Sequence, residues 1–292
     1  MNKQFNDLLP DIVNAINYNY TQSDLLLGKS DKYLPVRTTI IEILDDLKRL
    51  MFPGYFSTDR VDVTNAAYYT GQILSSLHLK LRKQVALALA YDREPGIFSS
   101  NPDVITEAED ICCKFFEAVP HIQEMLLLDV QAGYDGDPAA DSKEQIIFSY
   151  PGFYATFVYR VAHELYNMHV PFIPRVMTEH AHGKTGIDIN AGATIGKYFF
   201  MDHGTGIVVG ETTIIGDYVK LYQGVTLGAL STRGGQHLAG VKRHPTIEDR
   251  VTIYSNATVL GGETIIGADS VIGGGASVSY THLRAHETRE DL

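Results

Sequence analysis

Along residues 183–277, aliphatic side chains return at every sixth position. Ile247, Ile253, Val259, Ile265 and Val271 keep the step without a miss. Upstream, Ile189, Ile195, Met201 and Ile207 keep it, and after a two-residue shift Val209, Ile215, Leu221 and Leu227 resume it. A period of six matches neither an α-helix nor an alternating strand. It matches a solenoid in which each hexad forms one short flat side and three sides close a coil, with the recurring aliphatic stacked inward. Small residues such as Gly196, Gly210, Gly216, Ala257 and Gly267 are then expected at the tight corners. The step fails between Leu227 and Ile247, so a loop is expected to leave the coil at one corner.

The chain before this region has a helical period. Ile40, Leu44, Leu47 and Met51 share one face of a segment that stops at Pro53-Gly54. Further helices are predicted over 66–90, with Leu77, Leu81 and Val85 in line, and over 102–132. Another covers 150–166, where Phe153, Phe157, Val161 and Leu165 recur. Asp137-Pro138 reads as a turn. The last fourteen residues lose the six-residue step and are densely polar. The predicted organisation is an α-helical unit over 1–182, a coil over 183–278 and a tail over 279–292.

The chain has 292 residues, 45% of them hydrophobic, and a formal net charge of -11. That charge argues against nucleic acid or an anionic membrane as the main partner. The only cysteines, Cys112 and Cys113, are neighbours and supply no disulfide framework, which fits a reducing compartment. No apolar run reaches membrane-span length, and a cytoplasmic protein is expected. No Gly-x-x-x-x-Gly-Lys-Ser/Thr phosphate loop occurs.

A bare solenoid is scaffold, so chemistry must come from residues that break its pattern. His203, between Asp202 and Gly204, breaks the apolar register. A neutral imidazole can take a hydroxyl proton and later return it to a leaving group. It needs a carboxylate to orient it. Asp202 is adjacent and on a strand would point the other way. Asp188 lies fifteen residues earlier, close to the eighteen of one coil, and spacing alone leaves the choice open. Arg243, where the chain returns to the coil, has the shape to grip a carboxylate in a fork. His163 reads as structural and His237 as loop polarity.

Five segments occur here in the order found in serine acetyltransferases. They are Asp137-Pro138-Ala139, Tyr150-Pro151-Gly152, Tyr159-Arg160-Val161-Ala162-His163, the run from Met201 to Thr212, and Arg243-His244-Pro245. The chain resembles that family from Asp129 to Val278, and its coils resemble the left-handed parallel β-helix of hexapeptide-repeat acyltransferases. The resemblance implies an α+β protein, an N-terminal α-helical oligomerisation unit followed by that β-helix. It implies acetyl transfer from acetyl-CoA to the hydroxyl of L-serine, the first step of cysteine biosynthesis. His203 is then the base and Asp188 its orienter. Asp137, Asp202, Arg243 and His244 hold serine, and the place of Asp137 on the helical half suggests reach to a neighbouring subunit's solenoid. Gly228, Ala229 and Ser255 match acetyl-CoA positions, and no metal is expected.

The implied assembly is a homotrimer or a dimer of trimers, and the family's C-terminal tail docks onto cysteine synthase. Two departures stand out. Asn190-Ala191 replaces the family's His-Pro after Asp-Ile, which touches a turn rather than the carboxylate. Residues 279–292 replace a further partial coil and a flexible tail, so the end reads as an altered or truncated terminus. Other readings are a hexapeptide-repeat enzyme acting on a sugar or antibiotic hydroxyl, a zinc carbonic anhydrase using His203, His237 and His244, and a non-catalytic scaffold.

Overall fold

The computed structural model describes residues 4–28, 32–58, 60–93, 96–231, 233–279 and 282–283. The first half is helical: α1 (Phe5–Gln22), α2 (Arg37–Met51), α3 (Pro53–Phe56), α4 (Ala66–Asp92), α5 (Pro102–Gly136), α6 (Lys143–Ser149), α7 (Pro151–Asn167) and α8 (Ile173–Thr185). Local chemistry sets the ends. The Asn101 side chain accepts from the Asp103 N–H at 2.8 Å, and Pro102 occupies the first turn of α5. Gly186 ends α8 in the left-handed region at φ +71° and turns the chain into the coil. Leu44, Leu47, Leu77, Leu81, Phe115 and Phe157 form the helical core, whereas α1 buries no side chain.

The second half is a three-sided parallel β-helix. Its first side stacks β1 (Asp188–Ile189), β4 (Val208–Val209), β7 (Thr226–Gly228), β10 (Thr258–Leu260) and β13 (Ser277–Ser279). The second side stacks β2 (Thr194–Ile195), β5 (Ile214–Ile215), β8 (Thr246–Ile247), β11 (Ile265–Ile266) and β14 (His282–Leu283). The third side stacks β3 (Phe200–Asp202), β6 (Lys220–Tyr222), β9 (Thr252–Ile253) and β12 (Val271–Ile272). The inward positions Ile189, Val209, Leu227, Val259 and Val278 follow one another up the first side.

Two sequence expectations change here. Ile265 and Val271 keep the hexad step, yet Ile266 and Ile272 are the buried pair, and Val271 is 61% exposed. Ile266 lies over Ile247 because one extra residue enters at the turn around Gly261, whose φ is +101°. A slip of one residue moves each side chain to the other face. The tail also contributes to the coil: His282–Leu283 pairs in parallel with β11 as a further rung. Strand pairing needs only extended backbone, so the loss of aliphatic rhythm did not reveal it. Residues 280, 281 and 284–292 lie outside the described residues, and with them most of the segment assigned to the tail.

Buried polar contacts join the halves. Arg160 on α7 meets Asp129 on α5 through Nε at 2.5 Å and Nη2 at 2.8 Å. Asp129 also accepts from the Phe199 N–H at 2.9 Å, and Arg160 donates to the Gly196 carbonyl at 2.9 Å. The Tyr159 hydroxyl donates to Ala193 O and accepts from the Ile195 N–H. His163 Nδ1 lies 2.7 Å from Ala191 O, in keeping with a structural role.

Candidate active site

His203 stands at the corner between the third and first sides. Its backbone is left-handed at φ +58°, and Gly204 follows at φ +81°, so the chain stops alternating and turns. Strand alternation predicts Asp202 pointing away from its neighbour. The turn removes that alternation and brings Asp202 Oδ1 to 3.7 Å from His203 Nδ1, with the imidazole 70% exposed. This is ion-pair contact, longer than a hydrogen bond. Asp202, not Asp188, is the carboxylate in that contact. Asp188 begins the first side nearby, since the Gly206 N–H donates to Gly186 O at 2.8 Å and lays the two coils together.

Asp137 follows the C-terminus of α5. Its Oδ2 accepts from the Tyr150 hydroxyl at 2.5 Å and its Oδ1 from the Ala139 N–H at 2.8 Å. The Tyr150 bond leads in holding this carboxyl below its usual range, with smaller contributions from Ala139, His203 and Lys220. Burial, then Asp137 and Asp202, push the Tyr150 phenol up to about 12. Asp137 therefore lies in the field of its own chain's His203, where its place on the helical half had suggested reach to a neighbouring subunit's solenoid. Lys220 Nζ bonds Gly136 O and sits 5.2 Å from the Phe200 ring centre and 5.0 Å from that of Tyr222.

Arg243 and His244 belong to a different corner, between the first and second sides, just before β8. Going round the coil, the intervening side is roughly 20 Å of extended chain. Arg243 pairs with Glu211 through Nη2 and donates to Leu238 O through Nη1 at 3.2 Å. Burial pushes Glu211 up, but the bonds from Arg243 and Tyr166 outweigh it and hold the carboxyl down. His244 is 8% exposed, and burial, then Arg243 and Lys242, lower its pKa to about 4. Lys242 is tied to three carbonyls, Thr212 at 2.7 Å, His244 at 2.5 Å and Pro245 at 3.1 Å, which leaves it poorly placed for a phosphate.

The expected cofactor residues divide in the same way. Gly228 and Ala229 end the first side at the Arg243 corner. Ser255 lies in the His203 column, where the Asn256 N–H reaches Gln223 O and the Gly275 N–H reaches Ser255 O. At the end of that column, a Cβ at Gly273 or Gly275 would meet no atom within 4 Å. Among the described residues, no group of three His, Cys, Asp or Glu could hold a metal ion.

No protein-family model matches the chain. Known proteins do. The plasmid serine acetyltransferase of Synechococcus elongatus is 42% identical over 229 residues, 76% of this chain and 72% of that protein. The crystal structure of serine acetyltransferase 1 from Entamoeba histolytica superposes with a TM-score of 0.70 at 33% identity, covering 89% of this chain and 88% of that one. The chain belongs to the serine acetyltransferase family. A Synechocystis serine acetyltransferase is 44% identical over 126 residues, where the match spans about half of that relative, 48%.

Three residues escaped the sequence reading of this serine acetyltransferase site. Tyr150 was seen only as part of a segment, and its contact with Asp137 is tertiary. Glu211 and Thr212 follow Gly210 at a coil corner, where only folding reveals that they hold Arg243 and His244. A polar pair at a corner of an apolar repeat was the signal available.

Proposed function

We propose that the chain transfers the acetyl group of acetyl-CoA to the hydroxyl of L-serine, giving O-acetylserine and CoA. His203 takes the hydroxyl proton as the serine oxygen attacks the thioester carbonyl. It returns that proton to the thiolate when the carbon–sulfur bond breaks, so no net proton is left on the imidazole. Asp202 steadies the imidazolium, and Asp188, at the start of the adjoining side, orients the ring. Asp137 and Asp202 offer carboxylates to the substrate ammonium, and Arg243 and His244 offer donors to its carboxylate. Ser255, with Gly228 and Ala229 of the facing corner, would hold acetyl-CoA, which supplies the activated thioester.

The observation that carries this reading is one exposed imidazole at a coil corner with the Asp202 carboxylate 3.7 Å away, beside the hydrogen-bonded pair Asp137–Tyr150. Because Arg243 and His244 occupy another corner, the complete site takes one corner from each of two chains, as in a trimer of solenoids. Docking to cysteine synthase would depend on the C-terminal segment. The test is thiol release from acetyl-CoA with and without L-serine. His203→Ala should slow the serine-dependent rate by about 10²–10⁴-fold. Release by the parent that does not depend on serine would mean that water takes the acetyl group and would overturn the serine reading, and an unaffected variant would remove His203 from the mechanism.

A further inference from the structure

Thr212 follows β4 at the corner where His244 re-enters the coil, and its hydrogen bonds there use both acceptor sites and the hydrogen of its hydroxyl and its backbone N–H. The Thr212 Oγ1 accepts from the Arg243 N–H at 2.9 Å and from the His244 N–H at 3.1 Å. A hydroxyl has two acceptor sites and one hydrogen. Both acceptor sites are occupied, so its hydrogen goes to the remaining neighbour, His244 Nδ1, at 2.9 Å. The Thr212 backbone N–H, which can only donate, also reaches His244 Nδ1, at 3.1 Å. Two donors converge on one ring nitrogen, and that nitrogen carries no proton of its own. The ring hydrogen must then sit on Nε2, for which the described residues offer no hydrogen-bond partner.

The ring is packed against Gly210 on one face as well. A Cβ at Gly210 would overlap the imidazole at Cδ2 and Nε2, so only glycine lets the ring lie there. The Thr212 carbonyl meanwhile receives Lys242 Nζ. One residue thus grips three successive positions of the returning chain.

We propose that Thr212 is a positioning residue that locks His244 as the neutral Nε2–H tautomer. His244 then presents a fixed donor to a carboxylate of the acceptor and is barred from acting as a base. The base role is left to His203 alone, so the two histidines are divided between proton transfer and recognition by their hydrogen bonds. The lowered pKa of His244 agrees, since a ring that stays neutral keeps one donor at a constant position. The acceptor part of this inference rests on the serine reading; the tautomer does not.

The experiment is ¹⁵N NMR of the histidine-labelled full chain, with His244 assigned by its loss in His244→Gln. Between pH 6 and 8, Nε2 should show a protonated-nitrogen shift and Nδ1 an unprotonated one. The reverse pattern, or a mixture of both tautomers, overturns the proposal, and this readout stands whether or not L-serine is the acceptor. Kinetics give the second arm. Thr212→Val should raise KM for L-serine about three- to tenfold, the loss expected of a loosened hydrogen bond, with little change in kcat. Thr212→Ser should restore the parental KM. A fall in kcat at unchanged KM, or no rescue by serine, overturns the positioning role. Thiol release that ignores L-serine in the parent overturns the serine reading and with it the acceptor assignment, while the NMR pattern still judges the tautomer.

Discussion

At the scale of single residues, His244 links the site to pH. An imidazole in an unfolded chain titrates near 6.5, whereas burial, then Arg243 and Lys242, bring this one to about 4 in the fold. Between those values the unfolded chain binds the extra proton. The contribution to stability is therefore complete above about pH 6.5 and is lost as pH falls toward 4. Thermal unfolding of the parent should weaken across that window more steeply than that of His244→Gln, which has no group to titrate. Equal slopes would mean that His244 is not held neutral. The corner at His203 works through backbone geometry instead. A left-handed residue ends the alternation and lets adjacent side chains meet, which is why Asp202 contacts a neighbour that a regular strand would turn away.

At the scale of elements, the junction of helices and coil depends on Asp129 and Arg160. Both side chains are almost wholly buried, at 2% and 7% exposed, and each has further backbone partners on the coil. Removing one member leaves a charge without compensation, so Arg160→Ala should cost about 3–5 kcal/mol in urea unfolding. Arg250→Ala is the matching control. Its pair with Asp269 is more than half exposed on both sides, and the unfolding midpoint should stay where it is. A comparable loss in both variants would mean that the α7–coil contact carries no special weight. The same contacts align the helical half with the coil, and so hold Asp137 at the end of α5 near the His203 corner.

At the scale of the whole molecule, the two groups of candidate residues stand on different corners of one prism. On the proposed reading, a site that uses both draws them from two chains. Mixing His203→Ala with Arg243→Ala, each nearly inactive alone, should restore serine-dependent thiol release after the chains exchange. Some neighbouring pairs then present an intact His203 to an intact Arg243. No recovery after demonstrated exchange would place the whole site within one chain. Curated and solved relatives support the family at this scale, because the likeness runs through both halves, with 89% of the chain matched in the Entamoeba structure.

The sequence by itself determined the architecture, because the repeat is local. Six residues make one side, the inward aliphatic is visible in the text of the chain, and a helical period precedes it. It also exposed His203, a polar residue standing out against such regularity, while Arg243 and His244 were reached through the family resemblance. What it could not carry was whatever depends on the meeting of distant segments or on one backbone angle. The slip that buries Ile266 instead of Ile265 comes from one added residue at a turn. The Asp202–His203 contact comes from a positive φ. Tyr150 on Asp137 and Thr212 on His244 come from packing that brings separate corners and helices into hydrogen-bond range. Tertiary structure decided these because a hydrogen bond depends on distances of a few tenths of an ångström, and a six-residue rhythm sets position only to the nearest side of a coil.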